Sequence, residues 1–197
     1  MTTYSNLKYN HPLSANATGT GALTLISTQT ASGSANLSFT SGIDSTYKEY
    51  VFKFYNIHPI TDEAHFTVGF RDGDTAYDAV KTTTYILSYH AEDDSEATVG
   101  YNAASDLAQS SGFQRILHGV GNGNDESASG YLHLFDPSST TFVKHFIAGG
   151  SSYNAGSYEY TTYVAGYNNV TAAIDGVQFK MSSGNIDSGV VKLYGIS

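Results

Sequence analysis

Lys48-Glu49-Tyr50-Val51-Phe52-Lys53-Phe54-Tyr55-Asn56-Ile57 is the stretch on which the fold turns. Side chains alternate across an extended strand. Tyr50, Phe52 and Phe54 therefore fall on one face, and Val51, Tyr55 and Ile57 on the other, with Lys53 among them. Apolar residues on both faces point to a strand at the centre of a sheet or buried at a contact.

The same period continues outward in both directions. Upstream, residues 22–28 read as a strand, and in 35–40 Leu37 and Phe39 alternate with Asn36 and Ser38 before the turn Ser41-Gly42. Downstream, Phe66, Val68 and Phe70 alternate with His65, Thr67 and Gly69 and end at the turn dipeptide Asp72-Gly73. Residues 82–90 follow, then the acidic loop Glu92-Asp93-Asp94-Ser95-Glu96. A strand is read over 113–120, and 129–135 and 141–148 flank a hairpin turn at Asp136-Pro137-Ser138-Ser139. Residues 158–167, the alternating Val177, Phe179 and Met181, and 190–196 complete the set. Residues 105–111 alone look helical, and that stretch is too short to stand by itself. Many short strands with regular turns predict an all-β, antiparallel β-sandwich of jelly-roll type. Residues 1–21, polar and broken by Pro12, Gly19 and Gly21, read as an N-terminal arm, and 22–197 as a single β-sandwich domain.

Composition narrows the function. The chain has no Cys, which excludes disulfides and thiolate metal sites. Charged residues make up 14%, against roughly 25% in an ordinary domain, so Ser, Thr, Asn and Gly must supply the polar surface. With 9 basic against 18 acidic residues and a net charge of −9, the chain lacks the footprint of a nucleic-acid binder. An anionic membrane is disfavoured for the same reason. No apolar run approaches the ~20 residues of a membrane helix, and the opening Met1-Thr2-Thr3-Tyr4-Ser5-Asn6 carries no signal-peptide pattern. The expectation is a protein made in a cytoplasm that does not leave by the usual signal. The sequons at Asn16, Asn36 and Asn169 then read as chance matches.

The histidines His11, His58, His65, His90, His118, His133 and His145 form no H-x-H or H-x-x-x-H pair. Gly121-Asn122-Gly123-Asn124-Asp125 is a single copy of a calcium-loop-like run, and a flexible glycine loop is the better reading. Asp72, Asp74 and Asp78 could offer oxygen ligands to Ca²⁺ but lack the EF-hand spacing. There is no G-x-S-x-G elbow, and no spacing singles out a glycosidase carboxylate pair. The expectation is no enzyme activity, no cofactor and no metal. The tyrosines between Tyr153 and Tyr167 could form a carbohydrate platform, although a sheet face or a subunit contact is the better reading.

Several blocks carry a resemblance. Leu25-Ile26-Ser27-Thr28-Gln29-Thr30-Ala31-Ser32, the run from Ile43 to Phe52, and Ser129-Gly130-Tyr131-Leu132 belong to it. So do Asp136-Pro137-Ser138-Ser139-Thr140-Thr141 and Lys144-His145-Phe146. The ending runs from Phe179 through Ser182-Ser183-Gly184-Asn185-Ile186 to Lys192-Leu193-Tyr194-Gly195-Ile196. Together they resemble a widespread family of tailed-bacteriophage virion structural proteins, common in marine phages. The resemblance implies a β-rich virion protein and supplies no catalytic residues. In the ending, Gly184 suits a tight turn, after which the last strand is expected to return beside Phe179 and bury Val191 and Leu193.

The resulting expectation is an exterior head component, a capsid decoration protein or head fibre, assembling with other virion proteins such as the major capsid or tail proteins. The alternative is a tail-associated fibre or baseplate module that contacts host-surface glycan. A homo-oligomer, a trimer by preference, is expected, with Tyr55, Tyr158, Tyr160, Tyr163 and Tyr167 at the contact.

Overall fold

The computed structural model describes residues 22–197, and the expected arm 1–21 lies outside them. Twelve antiparallel strands and no helix are present among the described residues. In chain order they are β1 (Leu23–Ser34), β2 (Leu37–Phe39), β3 (Glu49–Pro59), β4 (Ala64–Arg71), β5 (Lys81–Ala91) and β6 (Ala97–Tyr101). Then come β7 (Gln114–Val120), β8 (Ala128–Phe135), β9 (Lys144–Asn154), β10 (Tyr158–Asn168), β11 (Gly176–Met181) and β12 (Ile186–Ile196). The wide sheet has the order β1-β12-β3-β8-β9-β10-β5-β6, and the narrow one β2-β11-β4-β7. The chain is thus an antiparallel β-sandwich, as its alternating pattern predicts.

Between the sheets lies a hydrophobic cluster with Phe179 of β11 at its hub. Its ring centroid is 5.2 Å from Phe52, 5.1 Å from Phe54, 5.5 Å from Phe66 and 6.1 Å from Phe39. Three of these pairs are edge-on and the Phe66 pair is stacked, arrangements that let rings interdigitate without voids. Tyr50, Phe52 and Phe54 are buried on the inner face of β3, as their spacing requires.

Three readings need correction, and one strand, β6, escapes the sequence pattern. Ile57 does not share the outer face with Tyr55: the β3–β8 register shifts between Phe54 and Ile57, with Asn56 at φ 49°, and Ile57 turns back into the core. Residues 105–111 form no helix. Their backbone instead bonds the edge of β5, through Thr83 N–H to Leu107 O and the reciprocal pair Lys81/Ser110. β6 has no apolar burial to betray it, since every residue is exposed. The last strand does not return beside Phe179: β12 crosses to the wide sheet and pairs with β1 and β3, so Val191 and Leu193 are buried from the opposite layer. The turn at Gly184 does form, with φ +66° and no room for a Cβ against Thr61.

Phe179→Ala removes the hub. The expected loss is about 3–5 kcal/mol, measured by urea unfolding; Phe179→Leu should lose clearly less. An unchanged midpoint for Phe179→Ala would mean that the core does not depend on this ring.

Candidate functional site

Two surfaces stand out, both on the wide sheet. The first is its outer face. One cross-strand row runs Tyr101–Ile86–Tyr163–Gly149–Tyr131–Lys53–Lys192, each residue in register with the next. A parallel row holds Thr84, Ala165, Ile147, His133, Val51, Tyr194 and Leu25, and another Val99, Ser88, Thr161, Ser151 and Ser129. From β6 across to β8 these three rows carry no Lys, Arg, Asp or Glu. Tyr163 and Ile86 are 44% and 42% exposed, and Tyr101 and Tyr131 are exposed as well. Tyr131 lies across Gly149, where a Cβ would stand 3.0 Å from its hydroxyl. A shallow, apolar groove of about 460 Å³ opens at one end, lined by Phe135, His145, Ile147, Ala165 and Tyr167.

The second surface is the inner face where the wide sheet overhangs the narrow one. The narrow sheet stops at β7, whose Gln114 and His118 meet Thr83 and Tyr85 of β5, so β6, the end of β5 around Tyr89 and the start of β10 have no strand opposite. Tyr89, Tyr158 and Tyr160 form a half-buried shelf there. Tyr89 meets Tyr158 and Tyr160 edge-on at 5.6 and 5.7 Å, and Tyr158 and Tyr160 are near-parallel at 6.1 Å. The hydroxyls of Tyr89 and Tyr158 both donate to Glu96, at 2.6 and 3.4 Å. The bond to Glu96 holds the Tyr89 phenol above its ordinary pKa. His118 closes the shelf, edge-on to Tyr160 at 5.0 Å.

The structure therefore divides the five tyrosines that sequence singles out. Tyr55, Tyr163 and Tyr167 lie on the outer face, Tyr55 beneath the Lys192 ammonium at 5.4 Å and Tyr167 beside His145. Tyr158 and Tyr160 lie on the shelf. Sequence missed Tyr131, Ile86 and Tyr101 on the first surface and Tyr89 and Glu96 on the second, because only strand register brings them together.

The remaining titratable clusters are accounted for locally. The carboxylates of Asp72, Asp74 and Asp78 can come within 4.8 Å of one another. Behind them Lys81 is buried and donates to Gly112 O; burial pushes its pKa down to about 8 while Asp78 and Asp72 oppose the shift. His58 uses both ring nitrogens, on Asp187 at 3.3 Å and Gly123 O at 3.1 Å, beside a polar cavity of about 390 Å³. Glu126 accepts from Gly123 N–H and closes the glycine loop. The chain matches no family model, no curated protein and no solved structure.

His65 and His118 lie 4.7 Å apart, and Gly119 N–H donates to His65 Nδ1 at 2.9 Å, which requires a neutral ring. Burial pushes His65 down to about 4, aided by the charges of Arg115 and His118, and burial and Arg115 lower His118 as well. Between the ordinary value of 6.5 and about 4 the unfolded chain takes up a proton that folded His65 refuses. Stability should therefore fall as pH drops through that window. The expected loss is about 1–2 kcal/mol, below the full ~1.4 kcal/mol per unit because part of the ring meets water. Urea unfolding at neutral pH and near pH 4 measures it, and His65→Gln should flatten the dependence. An equally steep dependence in that variant would assign the effect elsewhere.

Proposed function

We propose that this chain is a structural protein of a bacteriophage particle, an exterior head component of the capsid-decoration or head-fibre kind. On this reading it works in the virion, by protein–protein assembly with the other virion proteins, as a homotrimer and without a catalytic step. The observation that carries the proposal is the outer face of the wide sheet, where three adjacent rows carry no Lys, Arg, Asp or Glu from β6 to β8 and tyrosines stand out of them. Contiguous apolar faces of that size serve as contact surfaces.

The frame supports the same reading. The orders β1-β12-β3-β8 and β2-β11-β4-β7 support reading the sandwich as a jelly roll built of two Greek keys. The hairpins β5–β6 and β9–β10 are inserted into it and widen one sheet. Jelly-roll particle proteins close around three-fold axes, an argument by analogy. Basic side chains are few and largely committed: Lys81 and Lys144 are buried, and Lys48 and Arg71 pair with Asp136 and Asp175. That weighs against a nucleic-acid or anionic-membrane partner.

The tyrosine shelf favours a second reading, a tail-associated fibre or baseplate module that contacts host-surface glycan. Copy number separates the two, since head lattices repeat many more times than tail parts. Gold-labelled antibody on intact particles gives the location directly.

Tyr163→Asp and Tyr55→Asp place a charge on the contact face and should shift the oligomer toward monomer in sedimentation at micromolar concentration. The expected weakening is tenfold or more, about 1.4 kcal/mol or above. A wild-type chain that sediments as a sharp 21.0 kDa monomer, and particles whose occupancy neither substitution lowers, would remove the contact from this face.

A further inference from the structure

We infer that the inner-face shelf of Tyr89, Tyr158 and Tyr160, with Glu96 and the cavity beside it, is a binding site for a neutral saccharide. The shelf is built by two hairpin tips locked to each other. Glu92 N–H donates to Ser157 O at 3.0 Å, and Ala91 and Tyr158 are paired in register. Both tips hold a non-glycine residue in the left-handed region, Asp94 at φ 61° and Ser157 at φ 59°. Such residues persist where the surroundings fix them. Between the tips opens a cavity of about 340 Å³ lined by Glu92, Asp93, Ser95, Ser157 and Tyr158. Tyr158 is shared by cavity and shelf, so the two form one continuous surface.

The chemistry of that surface selects its ligand. A pyranose ring has an apolar C–H face and a rim of hydroxyls. Its apolar face packs on a tyrosine ring, whose amphipathic character suits a half-wet contact. Its hydroxyls donate to carboxylates, and Glu92, Asp93 and Glu96 supply these, with the hydroxyls of Ser95 and Ser157 beside them. A concave site with aromatic walls and a few convergent polar groups is the ordinary form of a small-molecule site. The same carboxylates repel uronic and sialic acids. A nucleobase could stack on the rings, but its phosphates would meet Glu92, Asp93 and Glu96. The overhang explains why the rings are available: β7, the last strand of the narrow sheet, touches Tyr85 and Tyr160 through His118 and leaves Tyr89 and Tyr158 beyond it.

This inference gives the glycan-contacting reading a site and a ligand class, yet it is measured on the purified chain alone. Titration with tri-N-acetylchitotriose and maltotriose, with trigalacturonate as the acidic counterpart, is followed by backbone amide chemical shifts. At least one neutral trisaccharide is expected to bind with a millimolar or tighter Kd, with shifts centred on Tyr89, Glu96, Ser157 and Tyr158. Trigalacturonate is expected not to bind. Tyr158→Ala and Tyr89→Ala should each weaken binding at least about tenfold, the scale of a lost ring contact. Tyr158→Phe, which keeps the ring, should stay within about threefold, and Tyr163→Ala on the outer face should change nothing. No saturable binding of either neutral probe up to tens of millimolar overturns the inference. So does tighter binding of trigalacturonate, or a shift map centred on the outer face. The map is made on the wild-type chain, so it decides the matter even where an alanine variant fails to fold. Failure here with gold label still on the particle would leave the virion reading standing; binding here without label would do the reverse.

Discussion

Phe179 joins the two sheets, and the placement of every other element follows from that junction. Its ring takes Phe52 and Phe54 from β3, Phe66 from β4 and Phe39 from β2, so three separate parts of the chain converge on one side chain. The cluster lies under all of the narrow sheet and takes side chains from every strand of the wide one but β6, with Ala31, Val164 and Tyr85 among its outlying members. Four strands cannot cover eight. The hairpins β5–β6 and β9–β10 both add to the same sheet, and the width mismatch leaves the overhang on which the tyrosine shelf sits.

The narrow sheet ends at β7 for a physical reason. A free edge strand exposes unpaired backbone groups and invites another strand. Here side chains of the wide sheet take that role. Thr162 donates to Ile116 O at 2.7 Å, and Ser152 donates to His118 O. The Gln114 side chain is held by Thr83 at 2.6 Å and reaches Ser105 O at 2.9 Å. These hydroxyls take up two carbonyls of β7, Ile116 O and His118 O, from below rather than from beside it. A fifth strand would find those two acceptors already occupied. The high Ser and Thr content of the chain thus has a structural use besides surface polarity.

Strand alternation made most of this fold legible. The inner-face set Tyr50, Phe52 and Phe54, and the later set Val177, Phe179 and Met181, can be read off their period of two, and all six are buried. The failures have particular causes. The bulge at Asn56 adds one residue to β3 and reverses the face of Ile57, and nothing in Tyr55-Asn56-Ile57 signals it. β6 buries nothing, so it has no apolar alternation to detect. β12 follows β11 after a four-residue turn, which suggests a hairpin, yet both edges of β11 are taken by β2 and β4, and β12 pairs across the sandwich with β1 and β3. The two surfaces were visible only as an excess of tyrosine. Tyr89 is 69 residues from Tyr158 in sequence, and only the β5–β10 register places them side by side.

That register also explains how one strand can serve two surfaces without compromise between them. In β10, Tyr158, Tyr160, Thr162 and Val164 point inward, and Glu159, Thr161, Tyr163, Ala165 and Tyr167 point outward. The inward set runs from the shelf, through the hydroxyl that secures β7, to the hydrophobic core. The outward set contributes Tyr163 to the flat face and Tyr167 to the apolar groove. Because the backbone is shared and the side chains are not, a substitution at one position leaves the next free to keep its contacts. The pleat thus keeps an outward row of tyrosines and an inward aromatic shelf a single sheet thickness apart.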